Sequence, residues 1–274
     1  MPMAADDGEA VLADVVAGAR ETFGDERLLA VYAMGSLAHG GFSPLVSDVD
    51  TALILTDPLT SSDAASVEQL AERVRALGSD LHARVSVFWG SPDSLRAGSG
   101  AGRFPPLDRL CLFEHGRLLY GDEVRDGLTP PSRADLTVAG ARFALDLLTD
   151  QVVAGAADPA LLVAGGVRAM TKVVLFPVRF LFTADTGLEG TNHAAVERYS
   201  AQHRGPAAEL VAAAFRWRTD PPDDAAATEL LRRGFVTLYD DYLSDHIGRL
   251  ESLGAPRLAE GFVRWRDRLR AAAG

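Results

Sequence analysis

The stretch Tyr32-Ala33-Met34-Gly35-Ser36-Leu37-Ala38-His39-Gly40-Gly41-Phe42-Ser43-Pro44-Leu45-Val46-Ser47-Asp48-Val49-Asp50 decides the fold. It opens inside an apolar run of strand length, Leu28 to Met34, which Gly35-Ser36 breaks and turns toward a helix. Gly35 has no Cβ, so backbone there can approach a ligand closely. The N–H groups of a helix start, with the Ser36 hydroxyl, can hold a phosphate. Gly40-Gly41-Phe42-Ser43-Pro44 is a turn cluster. Ser47-Asp48-Val49-Asp50 then leads into a second strand, Val49 to Thr56. Alternate residues of a strand point to one side, so Asp48 and Asp50 project together while Val49 faces the core.

Two carboxylates on one face repel each other unless a cation lies between them. Mg²⁺ suits such a pair, because it takes a few carboxylates plus substrate phosphates and keeps several waters. One or two such ions can clamp an in-line attack on the α-phosphate of a nucleotide. The protein's part in that chemistry is positioning and charge neutralisation. Neither Gly-Ser nor an Asp-x-Asp carries this meaning alone, since both are common in loops. Their joint placement around a strand-turn-helix and just before a strand is what carries it.

Outward from this stretch, Glu9 to Phe23 is predicted as an amphipathic helix with Val11, Val15 and Ala19 on one face. Ser62 to Leu77 is predicted as a helix opened by Ser-Ser-Asp and closed by Gly78. Arg84 to Trp89 is a third strand, with Val85, Val87 and Trp89 on one face and Arg84, Ser86 and Phe88 on the other. Asp108 to His115 reads as a short helix and Arg117 to Tyr120 as a last strand. The composition changes at Leu128-Thr129-Pro130-Pro131. Ser132-Arg133-Ala134-Asp135 is a capping signal, and beyond it the pattern is helical, over about 132–154, 158–184, 190–203, 206–217, 225–250 and 256–272. Pro177 should kink the second of these or shift its boundary. The expected fold is α+β: a small mixed β-sheet flanked by helices over residues 1–128, followed by an all-α helical bundle over 129–274.

The chain has 274 residues, 47% hydrophobic and 24% charged, ample for a packed core. Its formal net charge of −11 argues against a nucleic-acid partner, which asks for a basic stripe. It suits a cationic or neutral small molecule, or an anionic one masked by metal, although solubility alone also asks for such a charge. Cys111 is the only cysteine, which excludes an intrachain disulfide, a Cys-rich zinc site and a CxxC motif. Within Leu110-Cys111-Leu112-Phe113 it reads as a small buried hydrophobe. The acidic start MPMAADDGEA lacks the pattern of a signal peptide. The longest apolar candidate, Val163 to Phe182, is interrupted by Arg168, Lys172 and Arg179, so no membrane span is expected. The expectation is a cytoplasmic protein.

GSLAHGGFSPLVSDVD, residues 35–50, resembles the GS…SDxD signature of DNA polymerase β-type nucleotidyltransferases. Within that superfamily it is most similar to the bacterial streptomycin/spectinomycin (aminoglycoside) adenylyltransferases, which pair a small α/β domain with a helical C-terminal domain. Arg179 to Gly187 is similar to the family's helix that ends in Thr-Gly, His193 to Tyr199 resembles its following short helix, and Gly116 to Gly121 resembles the end of its first domain. The resemblance implies a nucleotidyltransferase-type sheet, with Gly35, Ser36 and Ser47 at the nucleotide. It implies that Asp48 and Asp50 are the catalytic carboxylates and ligate Mg²⁺, and that Arg179 touches the phosphates. ATP would be the nucleotide donor, and a small-molecule acceptor, an aminoglycoside by analogy, would enter a cleft between the domains.

The family also places a third carboxylate, the base that activates the acceptor hydroxyl, on a later strand. Here Arg84 or Ser86 falls at that place. Arginine cannot serve as a base near neutral pH, and aimed at the aspartates it would compete with metal. Glu114 is the first candidate to substitute, with Asp80 and Asp108 behind it; His39 could lie near the phosphates. Ala169 and Asn192 stand where the family often has an acid linked to the drug and a lysine linked to the nucleotide. Arg216-Trp217-Arg218 reads as a helix end packing its tryptophan, and Arg264, Arg266, Arg268 and Arg270 as a solvated helix face. The expected function is a metal-dependent enzyme that moves a nucleoside monophosphate, AMP from ATP, onto a hydroxyl of a small molecule. The alternative is a vestigial protein that binds nucleotide without transfer. A plain interaction module leaves Gly35, Ser36, Asp48 and Asp50 unexplained.

Overall fold

Leu28 to Met34 is buried at every position except Leu29, as a strand covered on both faces must be. It is one of two inner strands in the sheet of a computed structural model that describes residues 3–98 and 100–273. The chain divides into two units, Met1–Pro131 and Ser132–Gly274.

The first unit runs α1 (Met3–Arg27, kinked at Gly24), β1 (Leu28–Met34), α2 (Gly35–Ala38), β2 (Val49–Leu55), α3 (Ser61–Arg75), β3 (Val85–Gly90), α4 (Pro92–Ala97), α5 (Pro106–His115) and β4 (Arg117–Gly121). Among the described residues the sheet has four strands in the order β3-β2-β1-β4. β1 is antiparallel to β2 and to β4, whereas β2 and β3 are parallel. The sheet is therefore mixed, and the fold is α+β. Val31, Ala33, Val49, Leu53, Val85 and Val87 pack on one face with the predicted stripe Val11, Val15 and Ala19 of α1 and with Val67 and Leu70 of α3. Ala30, Tyr32, Met34, Ala52, Ile54 and Phe88 form the other face, against Leu95 of α4 and Cys111 and Leu112 of α5. β3 thus alternates as its sequence predicts.

A charged corner locks α1 to α3. Arg27 Nη1 donates to the Thr56 carbonyl at 2.5 Å, and its Nη2 donates to Asp63 Oδ2 at 2.5 Å. Asp63 is the third residue of α3 and its Oδ2 also accepts from Thr60 N at 2.6 Å. Burial alone would push the Asp63 carboxyl up, but the bonds from Thr60 and Arg27 hold it below its usual value.

The second unit is helical throughout: α6 (Arg133–Leu147), α7 (Asp150–Ala157), α8 (Ala160–Ala164), α9 (Gly166–Thr186), α10 (Asn192–Gln202), α11 (Pro206–Trp217), α12 (Asp224–Ser252) and α13 (Pro256–Ala273). The helix expected over 132–154 is two, because Leu148 leaves helical geometry (ψ 85°) and Thr149 starts α7. The helix expected over 158–184 is also two, with Gly166 at φ +82° between α8 and α9. Leu210, Val211, Phe235, Leu238, Tyr242 and Phe262 centre its core, and Trp217 packs there as expected. Pro177 does not end α9. A proline cannot donate to the carbonyl four residues earlier, here Val173, and the Tyr239 hydroxyl donates to that oxygen instead at 2.7 Å. Among the described residues no helix is long and apolar enough to cross a membrane.

Tyr239→Phe leaves the Val173 carbonyl buried without its donor and should cost about 1–3 kcal/mol in a urea titration. Asp63 has a lowered folded-state pKa, so its contribution is complete above its ordinary value of 3.8 and is lost as pH falls through the lowered value. Asp63→Asn should therefore lower stability at neutral pH and flatten the acid limb of the stability curve, read by denaturation across pH 2 to 7.

Candidate functional site

The pairing of β1 with β2 sets Met34 opposite Asp50. The next residue, Gly35, turns the chain at φ +57°, and a Cβ on it would stand 2.6 Å from Asp50 Oδ2. The Asp50 carboxylate therefore rests against the backbone of the Gly35-Ser36 turn, in room that only glycine leaves. Ser36 follows in α2 and is partly exposed. Asp48 and Asp50 are both partly exposed on either side of Val49, which is fully buried, as strand alternation predicts.

α2 is a single turn of four residues, so little helix dipole gathers at its start. Its first N–H, that of Gly35, donates to Cys111 Sγ at 3.2 Å. One of the helix-start N–H groups, that of Gly35, is thus engaged inside the fold.

The loop that delivers Asp48 is fixed from within. Ser47 is buried; its Oγ accepts from Ser43 N at 3.0 Å, and its N–H donates to the Ser43 carbonyl at 2.8 Å. Arg84 lies in a 3₁₀ turn just before β3, not on the strand. Its Nη1 donates to the carbonyls of Pro44 at 2.9 Å and Ser47 at 3.2 Å. Arg84 is thus a clamp on the loop ahead of Asp48 and not a cation set against the aspartates. Ser86 is the residue that pairs directly with Asp50 across β2 and β3. Of the two residues at which the resemblance implied a third carboxylate, Arg84 thus precedes β3 and Ser86 lies on it, and neither is an acid.

On the same face of the sheet, α5 ends beside the turn. Three and four residues after Cys111 come Glu114 and His115, one helical turn further along. Glu114 and His115 are both partly buried, with His115 Nε2 3.7 Å from Glu114 Oε2. The His115 ring meets the His39 ring edge-on at 5.6 Å between centroids. Asp108 is partly buried at the start of α5, and Asp80 is exposed in the turn after α3. Sequence reading took Cys111 as core filler and passed over His115. The spacing Cys111-x-x-Glu114-His115 was the available signal that all three share a helix side.

Arg179 belongs to the helical unit, on α9. Its Nε donates to the Gly190 carbonyl at 2.5 Å, and its guanidinium lies 5.9 Å from the Phe176 ring centroid. Arg218 is buried, and its pKa is pulled down first by burial and then by the like charge of Arg179.

The α/β unit is thus a mixed four-stranded sheet whose Gly-Ser turn meets an aspartate, and an all-helical unit follows it in the chain. The chain is similar in structure to spectinomycin adenyltransferase AAD(9) from Enterococcus faecialis, in a crystal structure with ATP and spectinomycin. The TM-score is 0.55 at 16% sequence identity, over 81% of this chain and 97% of that one. No protein-family profile matches the sequence. No curated protein matches it either.

Gly35→Ala and Gly40→Ala both put a Cβ on positive-φ backbone, and each should cost about 1–2 kcal/mol in a urea titration. Nothing lies within 4 Å of a Cβ at Gly40. Only Gly35→Ala should therefore move the Asp50 carboxylate, and only in that variant should its ¹³C resonance and titration change.

Proposed function

We propose that the chain is a metal-dependent nucleotidyltransferase that moves a nucleoside monophosphate, AMP from ATP, onto a hydroxyl of a small molecule. The observation that carries this reading is the Asp50 carboxylate lodged against Gly35, with Asp48 one strand alternation away. Two partly exposed carboxylates offering hard oxygen donors fit Mg²⁺, and Asp48 and Asp50 would hold it. When bound, Mg²⁺ would supply charge neutralisation and Lewis acidity to the triphosphate. Ser36 would hydrogen-bond a phosphate oxygen, and Gly35 would let the backbone approach it. Ser47 and Arg84 serve by fixing the loop ahead of Asp48. Arg179 would suit an anionic group such as a phosphate.

In the transfer, the acceptor oxygen bonds to the α-phosphorus, the bond to pyrophosphate breaks, and the hydroxyl proton goes to a base. Ser86 cannot take it. Glu114, on the helix whose Cys111 touches the turn, is the carboxylate assigned to that task. Spectinomycin is bound by the structurally similar adenyltransferase, so aminoglycoside-type acceptors head the panel to be tried.

A second reading, nucleotide binding without transfer, is favoured by Ser86 standing opposite Asp50. Pyrophosphate release from Mg²⁺-ATP with an acceptor panel separates the two. Transfer predicts release that Asp50→Asn abolishes and Glu114→Gln slows by roughly 10²–10⁴-fold, with nucleotide binding kept in the second variant. Mg²⁺-ATP at 100 times its dissociation constant should also stabilise the fold by about 2.7 kcal/mol. That stabilisation without release from any acceptor identifies the vestigial reading. Its absence overturns both.

A further inference from the structure

Three side chains of the first unit form a hydrogen-bonded line that nucleotide transfer does not use. Ser79 Oγ stands 2.6 Å from His82 Nδ1, and His82 Nε2 stands 3.0 Å from Asp14 Oδ2. Ser79 and His82 lie in the turn between α3 and β3, whereas Asp14 is on α1, 68 residues before His82. The turn is well anchored. Leu81 is buried in the core that holds Val11 and Val15 of α1. Ala83 N donates to the Ser79 carbonyl and Arg84 N to the Leu81 carbonyl, each at 3.1 Å.

The partners assign the protons. An ionised carboxylate only accepts, so the imidazole hydrogen sits on Nε2 and the Nδ1 lone pair is left for the Ser79 O–H. Ser79 Oγ also accepts from His82 N at 3.3 Å, which turns its hydrogen toward the ring. A serine that merely capped the turn would need that N–H alone and gives no reason for a carboxylate on the far ring nitrogen. A nucleophile, a base in hydrogen-bond reach and a third group orienting the base are the parts of an activated serine. They are recognised by geometry and role, not by order in the chain. Burial is graded to match: the His82 side chain is 13% exposed and that of Asp14 47%, while Ser79 is open to solvent. The backbone just before it is open as well, since nothing lies within 4 Å of a Cβ built at Gly78.

We propose that Ser79 is the nucleophile of a second site, which takes the acyl group of small activated esters, with His82 as its base and Asp14 as the residue that positions His82. Ser79 Oγ bonds to the acyl carbon as its proton passes to His82 Nδ1. The bond to the leaving phenol oxygen then breaks, and the phenol departs with that proton. Water repeats the exchange on the acyl-serine, releasing a carboxylic acid and returning the proton to Ser79 Oγ. With a fluorophosphonate the same attack displaces fluoride and stops at the phosphonyl-serine. The site shares no residue with Gly35, Ser36, Asp48 and Asp50, so it stands apart from nucleotide transfer.

Peptide mass mapping of the full chain after fluorophosphonate treatment tests it, with p-nitrophenyl acetate hydrolysis as the turnover assay. One phosphonyl group on Ser79 is expected, and none on Ser62, an exposed serine bonded to the Thr60 hydroxyl. Ser79→Ala should lose the label and leave the response to Mg²⁺-ATP unchanged. His82→Asn should slow labelling and hydrolysis roughly 10²–10⁴-fold. Asp14→Ala should slow both about tenfold or more and free His82 from its Nε2–H tautomer, read in its ¹⁵N resonances. If His82→Asn loses its circular dichroism, Asp14→Ala decides. The proposal is overturned by an unlabelled Ser79 in the folded chain, by equal labelling of Ser62, or by labelling undiminished in a folded variant at His82 or Asp14.

Discussion

The missing side chain at Gly35 is the constraint on which the candidate site depends. β1 and β2 are buried on both faces, so a charged group survives only where the strands run out. Met34 opposite Asp50 marks that limit. A Cβ at Gly35 would overlap the Asp50 carboxylate at 2.6 Å, so any other residue there has to push the acid off the turn. The bond from Gly35 N–H to Cys111 Sγ adds a second demand: the turn must lie flat on α5. Together they hold an acid, a serine hydroxyl and a helix end around one strand terminus.

What could be read from sequence was what rests on local periodicity. The strands at 28–34, 49–55 and 85–90, and the α1 stripe, follow from alternation and helical spacing that burial enforces residue by residue. The breaks at Leu148-Thr149 and Gly165-Gly166 were hidden because apolar spacing continues through both; packing of short helices against α9 and α12 decides them. α4 was missed because Ser91-Pro92 looks like a loop, although Ser91 N-caps it by accepting from Ser94 N at 3.3 Å. In the site, the alternation that exposes Asp48 and Asp50 was legible, whereas the loop bonds of Ser47 and Arg84 were not. A hydrogen bond from a guanidinium to carbonyls 37 and 40 residues away leaves no trace in spacing.

Net charge proved a poor guide to local electrostatics. The basic run on α13 faces solvent as expected at Arg264, Arg268 and Arg270, and two of these exposed arginines are also paired: Arg268 with Asp150 of α7 and Arg270 with Asp240 of α12, each at 2.6 Å. Such exposed pairs add little stability, but they neutralise the run. Within the same acidic chain Arg218 is buried, its pKa lowered first by burial and then by the charge of Arg179. A total of −11 describes none of these places.

The serine opposite Asp50 has a consequence for the pair it faces. A carboxylate at that position would be a third negative charge at the strand ends, and like charges held close raise each other's pKa unless a cation intervenes. With Ser86 there, two acids remain. Their mutual repulsion is smaller, and so is the attraction they offer a divalent ion. On the proposed reading such a site would depend more on the phosphates of its ligand to complete the metal's oxygen shell, which would couple metal and nucleotide more tightly than three acids would. On that reading it would also separate holding the metal from taking a proton, because neither aspartate would be spare. Any base must then come from a different element. Glu114 meets that requirement on chemical grounds: it sits one turn beyond the cysteine that already touches Gly35, and its position is set by α5 and not by the sheet.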